Sequence, residues 1–97
     1  MNIANVTQFV SFIDSNNLTI LDTGLLQVVQ CLHTYKSACD CYKNEQKQNI
    51  YNQCNAAYRN AVLEIVPRLK TQFLSKTPER QIAFHDDRGG VIAIISR

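Results

Sequence analysis

Residues 25–65 run LLQVVQCLHTYKSACDCYKNEQKQNIYNQCNAAYRNAVLEI, and the spacing of their apolar and aromatic side chains decides the fold. Leu25, Val28, Leu32, Tyr35, Cys39 and Tyr42 follow one another at intervals of 3, 4, 3, 4 and 3. That is the a/d seam by which one helix packs along another. Tyr51, Cys54, Tyr58, Ala61 and Ile65 repeat it at 3, 4, 3 and 4. The two seams are out of phase across Lys43–Asn49, a wholly polar run, so a single continuous helix is excluded and a chain reversal is predicted there. The position numbers pair about a midpoint between Gln46 and Lys47: Tyr42 with Tyr51, Cys39 with Cys54, Tyr35 with Tyr58, Leu32 with Ala61 and Val28 with Ile65. Each pair joins an a position to a d position, as antiparallel helices require. The layer assignment predicts that mild oxidation links Cys39 to Cys54.

Outward from this hairpin, Leu26, Val29, Val62, Val66 and Leu69 form a second apolar stripe that needs cover. The N-terminal segment can supply it. Val6, Phe9, Val10 and Ile13 fall on one helical face, Asn5 and Gln8 have the spacing of a capping box, and Asp14-Ser15-Asn16-Asn17 is a stop. A helix is therefore predicted over about residues 5–15. Leu18–Leu21 is expected to be an extended connector, with Asp22 as N-cap of the hairpin's first helix. Pro67 lacks an amide hydrogen and should kink or restart the second helix near Val66, and Thr77-Pro78 ends the helical hairpin, which spans about 22–76. Gln81–His85 and Val91–Ser96 flank Asp86-Asp87-Arg88-Gly89-Gly90, a β-hairpin over about 81–96. The expected architecture is mainly α: an antiparallel helical hairpin covered by a short N-terminal helix, with a C-terminal β-hairpin, in a single domain over 1–97.

Composition narrows the function. Hydrophobic residues make up 45% and charged residues 19%, a globular balance that excludes intrinsic disorder. The first residues contain no basic segment and the longest apolar run, Val91–Ile95, is far short of a membrane span. An intracellular, cytoplasmic protein without membrane contact is expected. The net charge is +2, with all ten basic residues at or after Lys36, short of the strongly basic face of a nucleic-acid binder.

Four cysteines, Cys31, Cys39, Cys41 and Cys54, invite a zinc site, but ligands normally come as two pairs separated by two to four residues. On a helix Cys39 and Cys41 point about 200° apart. Buried or inert thiols fit better than metal or a functional disulfide. Tyr35, Tyr42, Tyr51 and Tyr58 read as seam residues rather than a base-stacking platform. His85-Asp86-Asp87 reads as turn chemistry, and His33 as a hydrogen-bonded packing residue near the Leu26/Val29 stripe. No phosphate loop, nucleophile elbow or paired carboxylates are present in the sequence, so no enzyme, cofactor or metal is expected.

A non-enzymatic assembly or interaction subunit is the expected function, a role that a minor structural component of a virus particle would also fill. Its partners would be other protein chains, the same or different. The alternative is a small nucleic-acid-binding or regulatory protein using Arg59, Arg68, Lys70 and Arg80 as phosphate contacts. The expected partner-binding residues are Val91, Ile92, Ile94 and Ile95. A strand apolar on both faces needs cover on both, and the helical layer supplies only one.

Overall fold

The structure is a computed structural model that describes residues 1–38 and 44–97. It is mostly helical, with a small sheet. In chain order the elements are β1 (Asn2–Ile3), α1 (Val6–Ser15), a short 3-10 turn (Leu18–Ile20), α2 (Thr23–Ala38), α3 (Asn44–Asn60), a π-helical segment (Ala61–Ile65), a 3-10 segment (Val66–Leu69), α4 (Lys70–Leu74), β2 (Gln81–His85) and β3 (Val91–Ser96).

Helix α1 starts where its capping chemistry starts. The Asn5 side-chain oxygen accepts the Gln8 amide at 3.0 Å, and the Gln8 side chain reaches back to accept the Ala4 amide at 2.9 Å. At the other end the Asn16 side chain donates to the Phe12 carbonyl, and Asn17 takes the left-handed conformation, φ 57°, which Asn tolerates better than most residues. The expected extended connector is instead a 3-10 turn that buries Leu18 and leaves Ile20 83% exposed. Its compactness is closed by the Leu21 amide, which donates to the Leu18 carbonyl at 3.1 Å. Asp22 caps α2: its carboxylate accepts the Gly24 amide at 2.7 Å, and Arg68 clamps its other oxygen at 3.0 Å.

Helices α2 and α3 form the antiparallel hairpin, but their register differs from the predicted one by a heptad. Tyr35 meets Tyr51, ring centroids 5.0 Å apart, in place of Tyr58. A slip of seven residues preserves the a/d phase, so the seam survives while the pairing across it shifts among the described residues. The described part of α3 already begins at Asn44, so most of the polar run expected at the reversal is helical. The polar run Glu45-Gln46-Lys47-Gln48 is helical because Glu, Gln and Lys are good helix formers whatever their polarity. Cys39 lies outside the described residues, as do Cys41 and Tyr42, and with Cys39 the predicted link to Cys54. Pro67 acts as expected on helix type: the chain turns from α to π at Ala61 and to 3-10 at Val66. The Val66 amide donates to the Ala61 carbonyl, five residues back, and so absorbs the distortion one turn before the proline.

The core is where α1, the hairpin and the sheet meet. Phe9, fully buried, lies 5.0 Å from the Tyr58 ring, 6.2 Å from Phe73 and 6.0 Å from Phe84. One α1 side chain thereby ties α3, α4 and β2 together, and each such aromatic pair contributes about 0.5–1.5 kcal/mol beyond area burial. Val29, Val62 and Val66 of the second stripe are buried, but Leu26 is 42% exposed and His33 is exposed rather than packed.

The β-hairpin has the predicted extent. It gains a strand that the sequence pattern did not show: β1 pairs parallel with β2, Asn2 beside Ala83 and Ile3 beside Phe84. The sheet order is β1-β2-β3, so β2 is central and β3 is an edge.

Candidate interaction surface at the open edge of the sheet

The turn before β3 is built by Asp86. Its carboxylate accepts the amides of Arg88 at 2.9 Å and Gly90 at 2.8 Å, and its own amide donates to the Gly90 carbonyl. Those two amides, Gly90 foremost, hold the Asp86 carboxyl below the ordinary carboxylate range, and the charges of Arg59 and Arg88 add to the effect. Gly89 has φ 83° and must be glycine for the chain to reverse here without strain. Expected turn chemistry is thus what Asp86 does.

A bulge follows. Phe84 pairs with Ala93 but His85 pairs with Val91, which leaves Ile92 as the extra residue. Without the bulge, Val91 and Ile94 would project from opposite faces, three residues apart on a strand of period two. With it, Val91 shares the face of His85 and Ile94 the face of Ala83. Both therefore stand on the outer face, away from the helices, 58% and 55% exposed. Ile95, opposite Ile82, is buried in the chain's own core, and Ile92 is half-buried against it. Of the four expected partner residues, Val91 and Ile94 are accessible; Ile95 is a core residue, placed there by the helical layer.

The edge itself is open. The Arg97 amide donates to the Arg80 carbonyl at 2.9 Å. Backbone bonding alternates along an antiparallel strand, so Ile95 and Ala93 also bond toward β2 while Ile94 and Ser96 turn their amides and carbonyls outward. Among the described residues no strand lies on that side. The far end of β3 is anchored by the Arg97 guanidinium, which donates to the carbonyls of Leu74 at 2.5 Å and Thr77 at 2.7 Å.

The candidate phosphate contacts are not gathered into one site. Arg59 acts on the Asp86 carboxylate, and Arg68 is engaged by Asp22 and by the Glu64 carbonyl. Lys70 and Arg80 are exposed, Lys70 beside a shallow hollow with Thr71, Leu74, Ser75 and Arg97. Cys54 is fully buried, and desolvation followed by the nearby Cys31 pushes its thiol up to about 11. In this register Cys54 falls in the layer next to Tyr35 and Tyr51, with Cys31 close enough to act on its thiol. Among the described residues no group of three His, Cys, Asp or Glu side chains is gathered, and no helix is long and apolar enough to cross a membrane.

Tyr58 does more than fill the seam. Its hydroxyl donates to the His85 carbonyl at 2.7 Å, which fastens α3 to the end of β2 beside the bulge. Burial, and then the Asp86 charge, drive its phenol well above the ordinary range. Nothing in the sequence pattern distinguishes this tyrosine from Tyr35 or Tyr51. Comparison with protein families, with curated proteins and with solved structures gives no match.

Proposed function

We propose that this chain is a non-enzymatic assembly subunit that engages protein through the free edge and outer face of β3. The observation that carries the proposal is the combination at Ile94: a backbone turned outward on an edge strand, and an apolar side chain 55% exposed on the uncovered face. Natural edge strands are ordinarily blunted by charge, proline or a covering element, and Val91–Ser96 contains neither charge nor proline. An extended partner segment that adds to such an edge gains affinity from main-chain bonds and specificity from alternate side chains.

Two substitutions separate binding from folding. Ile94→Lys places a charge on the outer face, and the expected result is unchanged helical signal and thermal stability with loss of the native assembly. Ile95→Lys buries a charge in the core and is expected to unfold the chain. Deleting 91–97 would be a poor test, because it removes Ile95 from the core together with the edge. If Ile94→Lys leaves the assembly as it was, the proposal is overturned.

A further inference from the structure

We infer that the occupant of the open β3 edge is a second copy of this chain, paired antiparallel about a twofold axis through Ile94. The inference rests on the assembly role proposed above and specifies its partner. An antiparallel pairing of identical strands closes with two copies and presents the same patch from each. It therefore satisfies the edge without leaving another one open at the joint.

The position of the axis follows from the bonding pattern. Alternation turns the amides and carbonyls of Ile92, Ile94 and Ser96 away from β2, and Ile94 is the middle one of the three. With the axis at Ile94, its amide donates to the Ile94 carbonyl of the second copy and its carbonyl accepts in return. Ser96 then lies opposite Ile92 of the second copy, within the strand. Moving the axis to Ser96 would carry most of β3 past the end of its neighbour. The two Ile94 side chains stand side by side on the outer face, where each now exposes 55% of its surface, and directly opposed apolar pairs of this kind stabilise sheets.

Charge favours the same arrangement. The turn end of β3 carries Asp86 and Asp87 balanced by Arg88 and the nearby Arg59, while the far end carries Arg80 and Arg97, with Glu79 paired to the N-terminal ammonium. Antiparallel pairing sets the charge-balanced turn of one copy beside the basic end of the other, whereas a parallel pairing would set the two basic ends together. The strand between them is uncharged, so nothing along its length opposes the contact.

The test is solution mass by sedimentation of the full chain, wild type against Ile94→Pro. Proline at this position removes only an outward amide, which edge strands tolerate, so the fold is kept and the new ladder is lost. The expected result is a dimer mass for the wild type and a monomer mass for Ile94→Pro, with the same circular dichroism. In parallel, Ile94→Cys treated with oxidised glutathione should give a covalent dimer, because paired residues at about 5.5 Å between Cα atoms are within disulfide range. Val91→Cys and the wild type, treated alike, should not. A wild-type chain that is monomeric at its highest soluble concentration overturns the inference. So does a dimer that persists in Ile94→Pro or fails to link through position 94. Either failure is separate from failure of the assembly role, which falls only if Ile94→Lys leaves the native assembly intact.

Discussion

Tyr58 joins the core to the surface that matters. Its ring packs on Phe9 and its hydroxyl holds the His85 carbonyl at the bulge. Tyr58→Phe keeps the ring and removes one hydrogen bond, leaving a partly buried carbonyl without its donor. A loss of about 1–3 kcal/mol is expected, read from urea unfolding, with the amides around His85 and Val91 exchanging faster. Cys54 supplies a second test through pH. Its thiol rises from an ordinary 9.0 to about 11 in the fold, so the folded state holds its proton more tightly than the unfolded chain does. That contribution to stability is intact below pH 9 and is lost as pH rises from 9 toward 11. Because Tyr58 is shifted in the same direction, alkaline unfolding has two contributors. Cys54→Ala removes one of them. The urea midpoints of wild type and Cys54→Ala should therefore converge between pH 9 and 11, and parallel curves would count against the shift. The Tyr58 bond itself was beyond the sequence, since heptad spacing marks a residue as seam without saying what its polar tip reaches.

Among the elements, the helical hairpin was legible and its register was not. Intervals of 3 and 4 specify which face of each helix meets the other, but the same seam recurs every seven residues. Sliding one helix by a heptad costs no change of phase, and only the length of the turn chooses between the two. The polar run at Glu45–Asn49 suggested a loop by its hydrophilicity, yet its residues are strong helix formers and α3 begins at Asn44. A double-mutant cycle distinguishes the registers. Coupling of about 0.5–1.5 kcal/mol is expected between Tyr35 and Tyr51, whose rings are in contact, and none between Tyr35 and Tyr58. Coupling in the second pair alone would restore the original layers. The cap at Asn5 and the helix change at Pro67 could be foreseen because each depends on a few neighbouring residues. The two-residue strand β1 could not, because Asn2-Ile3 is too short to show alternation and its pairing spans the whole chain.

For the molecule as a whole, the described helices cover one face of a three-stranded sheet, and among the described residues the other face and the β3 edge are free. The sequence implied this division, because a strand apolar on both sides cannot be covered by one layer. It did not imply which residues fall on which side, since the bulge at Ile92 shifts the phase and brings Val91 round to join Ile94. The central claim is that β3 is open in the lone chain and closed in the assembly. Amide hydrogen exchange along residues 91–96 tests it most directly, measured on the dilute chain and again on the assembled form. Ala93 and Ile95, bonded to β2, should be protected in both. Ile94 and Ser96 should exchange rapidly in the dilute chain and become protected on assembly. Protection of Ile94 and Ser96 in the lone chain, or continued rapid exchange in the assembly, would contradict the account.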